Sequence, residues 1–426
     1  MNYIQVKYRW VINMERVILH CDLNGFYASV ECLHHPEIRN YPVAVGGDVD
    51  KRHGIILAKN QLAKKYDIKT GEALWQAKIK CPNLVIIKPN FGLYLRFSAL
   101  VRTILADYSD LIEPFGIDEA WIDVTNSAKL LGSGKEIADQ IRARIKSEVG
   151  ITASVGVSFN KVFAKLGSDL KKPDATTLIT KTNMKDLVFP LPASELLYVG
   201  KATSQRLSAL NIFTIGDIAN ADIKFLKKHL GKQGEYLWLF ANGFESSPVS
   251  PYGADSGVKS IGNSTTTPRD LQDMSDVKVV AYVLAESVGA RLREQGLKAR
   301  TICISVRDTS LSCFTRQQKL PYDTDCDKEI IQTALALFNH NTKDHFPLRS
   351  IGISATDLTQ GDGDRQLSLF YDQENIEKER KIDQTVDLIR QRYGFNKITR
   401  GILLTDKTLS GFNPKDDHVI FPIGYH

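Results

Sequence analysis

Two adjacent acids, Asp118 and Glu119, lie between short apolar runs in the stretch FGIDEAWIDVT, residues 115–125. Neighbouring strand residues point to opposite faces, so one carboxylate would enter the core, where an unpaired charge is costly. A tight turn with both acids in solvent is the ordinary interpretation of such a pair. A third acid, Asp22, ends another apolar run, RVILHCDLN, residues 16–24, and favours a chemical role for all three.

Three carboxylates around one point repel each other unless a cation neutralises them. Oxygen ligands alone favour Mg²⁺, with Mn²⁺ as a possible substitute, over zinc. Two such ions, roughly 3.5–4 Å apart, would hold the attacking and leaving oxygens of a phosphoryl displacement. In this hypothesis Asp22 and Asp118 bridge both ions, Glu119 holds the ion that activates the nucleophile, and the Leu23 carbonyl completes the other site.

The hydrophobic pattern predicts the elements that would position these acids. The expected order is strand, helix, hairpin, helix and strand. The strands are expected in residues 16–24 and 151–158, the hairpin in 115–125, and helices in 25–35, 93–110 and 135–150. This order is typical of a βαββαβ sheet, here with residues 35–90 inserted. Such a sheet can place Asp22, at the end of one strand, beside the acidic hairpin.

Beyond residue 187 the pattern changes to short helices. VGKATSQRLSALNIFTIGDIA, residues 199–219, resembles a helix-hairpin-helix turn, whose backbone N–H groups can hold a DNA phosphate. Residues 246–257 have the composition of a linker. Helices mixed with alternating strands follow up to residue 358, and one more helix is expected over residues 375–393. Its role, packing on the preceding domain or binding a partner, is left open by the sequence.

Composition limits the class of protein more than it identifies it. A chain of 426 residues is expected to form several domains. Its net charge of +6 permits a nucleic-acid partner without requiring one. Six cysteines without a CxxC pair are expected to be reduced thiols in the cytoplasm. We expect no membrane segment and no signal peptide, and residues 1–13, before Met14, could be an extension.

Four stretches, DLNGFYASVE, GIDEAWIDVT, SVGVSFNKVFAKLGSDLKKPD and KSIGNSTT, together resemble the Y-family translesion DNA polymerases of the bacterial DNA polymerase IV type. The resemblance runs from about Arg16 to Phe370. It implies template-directed DNA synthesis across damaged bases, with low fidelity, no proofreading and release of pyrophosphate.

The same resemblance implies an α+β multidomain fold in the shape of a right hand. Its parts are a ferredoxin-like βαββαβ palm, small fingers, a helical helix-hairpin-helix thumb and an α/β little finger. The implied boundaries are palm 14–34 and 91–186, fingers 35–90, thumb 187–245, linker 246–257, little finger 258–360, clamp-binding peptide 361–371 and C-terminal tail 372–426.

The resemblance also assigns the nucleotide site. Asp22, Asp118 and Glu119 match the catalytic, metal-binding carboxylates, and Leu23 matches the metal-binding main-chain carbonyl. Tyr27 falls on the steric gate, whose ring leaves no room for a ribose 2′-hydroxyl. Further matches are the backbone N–H groups of Gly25 and Phe26 and the Lys172 ammonium for the triphosphate, and Gly71 for the templating base.

Two regions depart from the family pattern. In the fingers, NQLAK stands where Asn-Tyr-x-x-Arg is common, so Gln61 replaces the phosphate-binding tyrosine and Lys64 the arginine. Lysine keeps the charge but loses the bidentate fork, so we expect weaker nucleotide binding. In the thumb, Tyr198 replaces the first glycine of the turn that leads to Gly200, a residue expected near DNA. A tyrosine is strained there if the turn needs a positive φ.

The remaining expected partners are primer-template DNA, deoxynucleoside triphosphates and a sliding clamp of the β-subunit type, and the protein is expected to be a monomer. Four basic residues of the little finger would contact DNA phosphates: Arg300, Arg307, Arg316 and Lys319. QLSLF resembles the clamp-binding peptide, with contacts from Gln366, Leu367, Leu369 and Phe370. Two alternatives stay open: a nucleotide cyclase on the same palm, and a weakly catalytic DNA-binding scaffold.

Overall fold

The computed structural model describes residues 16–47, 54–254, 257–342, 345–360 and 373–414. These residues form two compact units, one lying almost wholly before residue 255 and the other mainly after residue 256. The predicted clamp-binding residues Gln366–Phe370 and the N-terminal residues 1–13 lie outside the described ranges. Within those ranges, no helix is both long and apolar enough to span a lipid bilayer.

The first unit alternates strands and helices in the predicted order. Its strands are β1 (Ile18–Leu23), β2 (Val43–Gly46), β3 (Ile56–Lys59), β4 (Val85–Ile87), β5 (Ile112–Pro114), β6 (Glu119–Asp123), β7 (Ala153–Ser158) and β8 (Thr176–Leu178). Its helices are α1 (Phe26–His34), α2 (Gln61–Lys64), α3 (Leu74–Lys80), α4 (Phe91–Ala106), α5 (Ala128–Leu131), α6 (Gly134–Arg144), α7 (Lys161–Leu170), α8 (Met184–Leu187), α9 (Lys201–Ala209), α10 (Ile215–Asn220), α11 (Ile223–Leu230) and α12 (Lys232–Ala241).

Strand β1 lies at the centre of a five-stranded sheet with the order β5-β6-β1-β7-β8. It pairs antiparallel with both β6 and β7, which gives the predicted βαββαβ arrangement with one added strand. Every residue of β1 is buried, because helices cover both faces of the sheet. Helix α7 lies so close to β7 that a Cβ at Gly156 would be 1.9 Å from the Ala164 carbonyl oxygen. This close contact fixes the polar face of α7 against the end of β1.

Residues 35–90 form a separate three-stranded sheet, with the order β3-β2-β4, and have a small apolar core of their own. The next helical segment, from α8 to α12, also packs around its own core. The mixed α+β class with several sheets is therefore confirmed.

The second unit contains a four-stranded sheet with the order β11-β10-β12-β9. Its strands are β9 (Ser260–Leu271), β10 (Leu297–Asp308), β11 (Cys313–Thr324) and β12 (Leu348–Gln360), and its helices are α13 (Met274–Glu294), α14 (Asp327–Asn341), α15 (Gln373–Tyr393) and α16 (Lys407–Ser410). Helix α15 confirms the predicted C-terminal helix and ends before Gly394, which has a φ of 101°.

Helix α15 packs on α13 and α14 of the same unit. Arg390 lies 2.8 Å from Glu286, and Arg293 lies 2.6 Å from Asp387. The following segment adds Leu403 to the apolar core of the sheet domain. Of the two possibilities left by the sequence, the structure shows the packing on the preceding domain.

Candidate active site

The backbone brings the three predicted acids together. Asp22 pairs in register with Glu119 across β1 and β6. The Leu23 N–H donates to the Asp118 carbonyl oxygen at 2.9 Å, so the hairpin loop is held against the end of β1. Asp22 is buried, and Asp118 and Glu119 are partly buried. The sequence-based interpretation of a solvated turn is therefore not what the structure shows.

One cavity of about 430 Å³, here called the acid cavity, contains all the residues predicted for catalysis, metal binding and the triphosphate. The predicted residues that line it are Asp22, Leu23, Gly25, Phe26, Tyr27, Gln61, Lys64, Asp118, Glu119 and Lys172. The lining residues that were not predicted as site residues are Asn24, Leu57, Ala58, Lys59, Thr70, Lys165 and Asp169.

Lys165 and Lys172 lie directly against the carboxylates. The Lys165 ammonium contacts a Glu119 oxygen and lies 3.3 Å from Asp22. The Lys172 ammonium lies 2.7 Å from Asp22 and 2.9 Å from Asp169. The missed signal was helical spacing, since positions 165, 169 and 172 fall on one face of α7 and its end.

The electrostatics follow from placing acids in a partly dry site. Burial raises the pKa of Glu119 to about 7, although the Lys165 ammonium opposes the shift. Burial and the neighbouring Asp22 also raise the pKa of Asp118. Burial alone would lower the pKa of Lys165, but the carboxylates of Glu119, Asp169 and Asp22 outweigh burial and raise it. Keeping these carboxylates ionised in the partly buried site therefore costs folding free energy unless cations stay close to them.

His20 lies behind this group on the same face of β1. Its Nδ1 is 3.0 Å from the Ser168 hydroxyl, and its Nε2 lies 3.5 Å from a Glu119 oxygen. Burial, Lys165 and Lys172 lower the pKa of His20, so its imidazole is neutral and adds no positive charge to the site.

The donor chemistry fits a hard divalent cation. Within the described residues, no three acidic, histidine or cysteine side chains converge as a ready-made cage, and the lysine ammonium groups contact the carboxylate oxygens instead. Carboxylates that attract two ammonium groups, with a main-chain carbonyl beside them, form an oxygen set suited to Mg²⁺ or Mn²⁺. A bound cation would take over the neutralising role of those lysines.

Replacing Lys165 with alanine tests this charge balance without measuring activity. In EDTA we expect the free energy of unfolding to fall by about 1–3 kcal/mol, because Asp22 and Glu119 lose a shared partner. Mg²⁺ should then stabilise the variant more than the unmodified protein, because no ammonium competes for the carboxylates. Thermal melts with and without Mg²⁺ measure both effects.

Lys171→Ala is the matched control, since Lys171 ends the same helix and is exposed. Equal Mg²⁺ stabilisation of Lys165→Ala and the unmodified protein would contradict the proposed competition.

Helix α1 forms the nucleotide side of the acid cavity. Gly25 precedes the helix with a φ of 53°, and a Cβ there would lie 2.7 Å from the Lys59 carbonyl oxygen. Only glycine suits both constraints, and the helix begins with the backbone N–H of Phe26 at the cavity. The Tyr27 ring stacks on Tyr94, with centroids 4.4 Å apart and planes at 10°.

Gln61 and Lys64, the residues that depart from the family pattern, also line the acid cavity. Gln61 and Lys64 are the first and last residues of the one-turn helix α2. The Asn60 side chain caps this helix by accepting from the Ala63 N–H at 2.9 Å. The side chains of Gln61 and Lys64 are both exposed, so packing against neighbours does not fix their positions.

Gly71 lies beside the acid cavity and not in its wall. It has a φ of 82°, and an added Cβ would meet no atom within 4 Å. It lines a neighbouring cavity of about 640 Å³ that shares Thr70 with the acid cavity. The space next to the predicted templating position is therefore open.

The turn before helix α9 has a positive φ at Tyr198, the conformation in which a tyrosine was expected to be strained. Tyr198 has a φ of 71° and a side chain that is 58% exposed. Gly200 is the N-cap residue of helix α9 and forms no side-chain capping bond, and no atom lies within 4 Å of a Cβ added there. The predicted strain at Tyr198 is thus present, next to an open helix N-terminus.

Tyr198→Gly should be more stable than Tyr198→Ala by about 1 kcal/mol, because only glycine takes a positive φ without strain. Both variants lose the contact between the tyrosine ring and Phe240, so their difference isolates the backbone. Chemical denaturation measures it. An alanine variant as stable as the glycine variant would show that the turn relaxes.

The predicted basic residues of the second unit divide between the two sheet faces. Arg307 pairs with Cys313 and Lys319 pairs with Thr301, which places both basic residues on one face. Arg316 pairs with Ile304, a fully buried residue, and so belongs to the helix-covered face, although its side chain reaches solvent. Arg300 is exposed and lies at a register shift in β10.

Comparison with known proteins shows the family to which the chain belongs. Residues 21–169 match the impB/mucB/samB family, and residues 258–369 match the C-terminal domain of that family. The DNA polymerase IV of Acetivibrio thermocellus is 51% identical over 397 residues, which cover 93% of this chain and 100% of that protein. The DNA polymerase IV of Pelotomaculum thermopropionicum is 39% identical over 388 residues, 91% of this chain and 95% of that protein.

A chimera of the Y-family DNA polymerases Dbh and Dpo4 has the same fold. It superposes with a TM-score of 0.72 at 24% identity, covering 81% of this chain and 100% of the chimera. The chain therefore belongs to the impB/mucB/samB family and is similar to proteins named DNA polymerase IV along most of its length.

Proposed function

We propose that this protein extends a DNA primer along a template, including past damaged bases, by transferring a nucleotide to the primer 3′ end with release of pyrophosphate. The observation that carries this proposal is the acid cavity, where ten residues predicted for one reaction lie together. Relatives named DNA polymerase IV along nearly the whole chain support it.

Asp22, Asp118 and Glu119, with the Leu23 carbonyl, would hold two divalent cations, preferably Mg²⁺. When bound, such cations polarise the reacting phosphate and stabilise its developing charge. The chain itself keeps the acids partly dry and holds them in register across β1 and β6. Lys165 and Lys172 supply the positive charge that lets these acids stay ionised in a partly buried site.

The triphosphate would bind between α1 and α2. The backbone N–H groups of Gly25 and Phe26 suit phosphate oxygens, because a helix N-terminus leaves such groups unpaired. Gln61, Lys64 and Lys172 would add an amide and two ammonium groups from other sides of the cavity. Tyr27, fixed by stacking on its neighbours, would exclude a 2′-hydroxyl.

Lys64→Arg should lower the apparent KM for a nucleotide by about two- to tenfold, because a guanidinium can contact two phosphate oxygens at once. The turnover number should change less than KM. Single-nucleotide incorporation under steady-state conditions measures both. The exposed Lys65 follows directly, so Lys65→Arg is a matched control. An unchanged or higher KM for Lys64→Arg would contradict the assigned phosphate contact.

Low fidelity, lesion bypass and contact with the clamp complete the proposal. The open space at Gly71 would allow templating bases of unusual shape, with little steric selection. Basic residues such as Arg307 and Lys319 would hold the DNA backbone without reading its sequence. The segment Gln366–Phe370 would bind a sliding clamp, and its deletion should abolish clamp-stimulated synthesis.

Primer extension with purified protein, a short primer-template and Mg²⁺ tests the proposal directly. Template-dependent addition of deoxynucleotides, without removal of a mismatched 3′ end, is the expected result. DNA binding without extension would support a scaffold instead, and a cyclic nucleotide formed without template would support a cyclase. The protein should act as a monomer, and sedimentation in the same buffer would measure this.

A further inference from the structure

The most exposed aromatic face in residues 35–90 belongs to helix α3. Trp75 is 65% exposed and Ile79 is 72% exposed, and the two residues lie one helical turn apart. Leu74 and Ala77, on the other side of the helix, are buried in the local core. The helix is therefore anchored by one face and presents a large planar side chain to solvent with the other.

This exposed face is continuous with the predicted templating position. Trp75, Ile79 and Gly71 line the same cavity of about 640 Å³. Thr70 lines both this cavity and the acid cavity. A template strand whose templating base lies at Gly71 would have its next bases within reach of Trp75.

The charge around the cavity suits a polyanion. Residues 35–90 contain ten lysine and arginine residues but five aspartate and glutamate residues, so most of the chain's surplus of +6 lies there. Lys69 and Lys80 line the cavity itself. Among the described residues that line the cavity, Glu72 is the one acid, and the Lys80 ammonium neutralises it at a distance of 2.7 Å. An apolar protein partner would not require such a basic rim.

We propose that α3 is a stacking platform for single-stranded template, with Trp75 packing against an unpaired base ahead of the templating position. The inference rests on the proposed function and adds a binding site to it. Base–aromatic stacking is tolerant of sequence, and a lysine rim holds the phosphates on either side. Ile79 extends the apolar surface beneath the same base.

The test compares DNA affinity at two template lengths. Fluorescence anisotropy would measure the Kd of the full chain for primer-templates whose 5′ overhang is one nucleotide or about six nucleotides, at one fixed salt concentration. For Trp75→Ala we expect about a tenfold weaker Kd on the long overhang and little change on the short one. Trp75→Phe should keep most of the affinity, because it keeps an aromatic face.

Leu130→Ala is the matched control, since Leu130 is 89% exposed but lies on α5, outside both cavities. Its Kd should equal that of the unmodified protein on both substrates. An equal loss on both overhangs for Trp75→Ala, or no loss on the long one, would overturn the proposal. Extension by the unmodified protein tests the proposed function separately, so failure of the stacking platform can be distinguished from failure of the proposed function.

A thermal melt checks that Trp75→Ala is folded. Because the Trp75 side chain is mostly exposed, the melting temperature should match that of the unmodified protein.

Discussion

Asp118→Ala should lower the rate of primer extension at saturating nucleotide and Mg²⁺ by about a thousandfold or more. Removing one bridging carboxylate takes away the group that would hold both cations in place. A thousandfold corresponds to about 4 kcal/mol of lost transition-state stabilisation, within what such charge stabilisation provides. Single-turnover incorporation on a preformed protein–DNA complex measures the chemical step.

The same substitution should not destabilise the fold, which separates its catalytic effect from unfolding. Asp118 has no ion pair among the described residues, whereas Asp22 and Glu119 both contact lysines. Burial and repulsion from Asp22 raise the pKa of Asp118, so the ionised carboxylate lowers the free energy of unfolding at neutral pH. The variant should therefore be at least as stable in EDTA as the unmodified chain.

Asp186→Ala is a suitable control for Asp118→Ala. Asp186 is exposed on α8 and does not line the acid cavity. DNA affinity should be unchanged in the control and in Asp118→Asn, which keeps the shape of the side chain. If Asp118→Ala copied a template at the unmodified rate, the carboxylate site and the proposed function would both be wrong.

Local patterns in the sequence predicted the three acids of the acid cavity, whereas the residues on its nucleotide side were predicted from the resemblance to a family. Asp22 ends a run that is apolar apart from His20, and the hairpin acids interrupt another apolar run, so the cost of burying charge marks both positions. Strand pairing then brings the two positions together, because the register of β1 and β6 places Asp22 opposite Glu119. Local pattern and sheet topology together determine such a site.

Contacts made across elements were harder to predict. Lys165 lies on the polar face of an ordinary amphipathic helix, and only the close packing of α7 on the sheet reveals that this face meets the acids. Charge alone suggests a common role for Arg307 and Arg316, yet the β10–β11 register places them on different faces of the sheet. A register shift between Ala299 and Thr301 could not be read from the alternation of residues.

The packing position of the C-terminal helix α15 also could not be predicted from the sequence. Its period predicted a helix correctly, but the sequence did not show where it packs. Glu286, buried in α13, lies 2.8 Å from Arg390 and 2.5 Å from Arg400, two residues more than a hundred positions away. Ion pairs at that sequence distance leave no local pattern, and their partners become apparent only in the folded unit.

Tyr27→Ala should raise the incorporation of ribonucleotides relative to deoxyribonucleotides by about a hundredfold to a thousandfold. The tyrosine ring cannot move aside easily, since it stacks on Tyr94 and meets the edge of Phe91 at 5.8 Å. A clash with a 2′-hydroxyl would therefore cost roughly 3–4 kcal/mol in the unmodified protein, and alanine would remove it. The ratio of kcat/KM for a ribonucleotide and the matching deoxyribonucleotide measures the effect.

Because the measured quantity is a ratio of two rates, a loss of stability in Tyr27→Ala would not change it. Alanine removes part of an aromatic cluster, but a smaller folded fraction lowers both rates equally and leaves their ratio unchanged. Tyr27→Phe should keep the selectivity within about twofold, because the ring carries the exclusion. The hydroxyl has little part in it: burial and Asp118 raise the pKa of Tyr27 to about 12, so the phenol stays neutral at working pH. Selectivity lost in Tyr27→Phe would make the hydroxyl the gate, and selectivity kept in Tyr27→Ala would move the gate to another residue of the cavity.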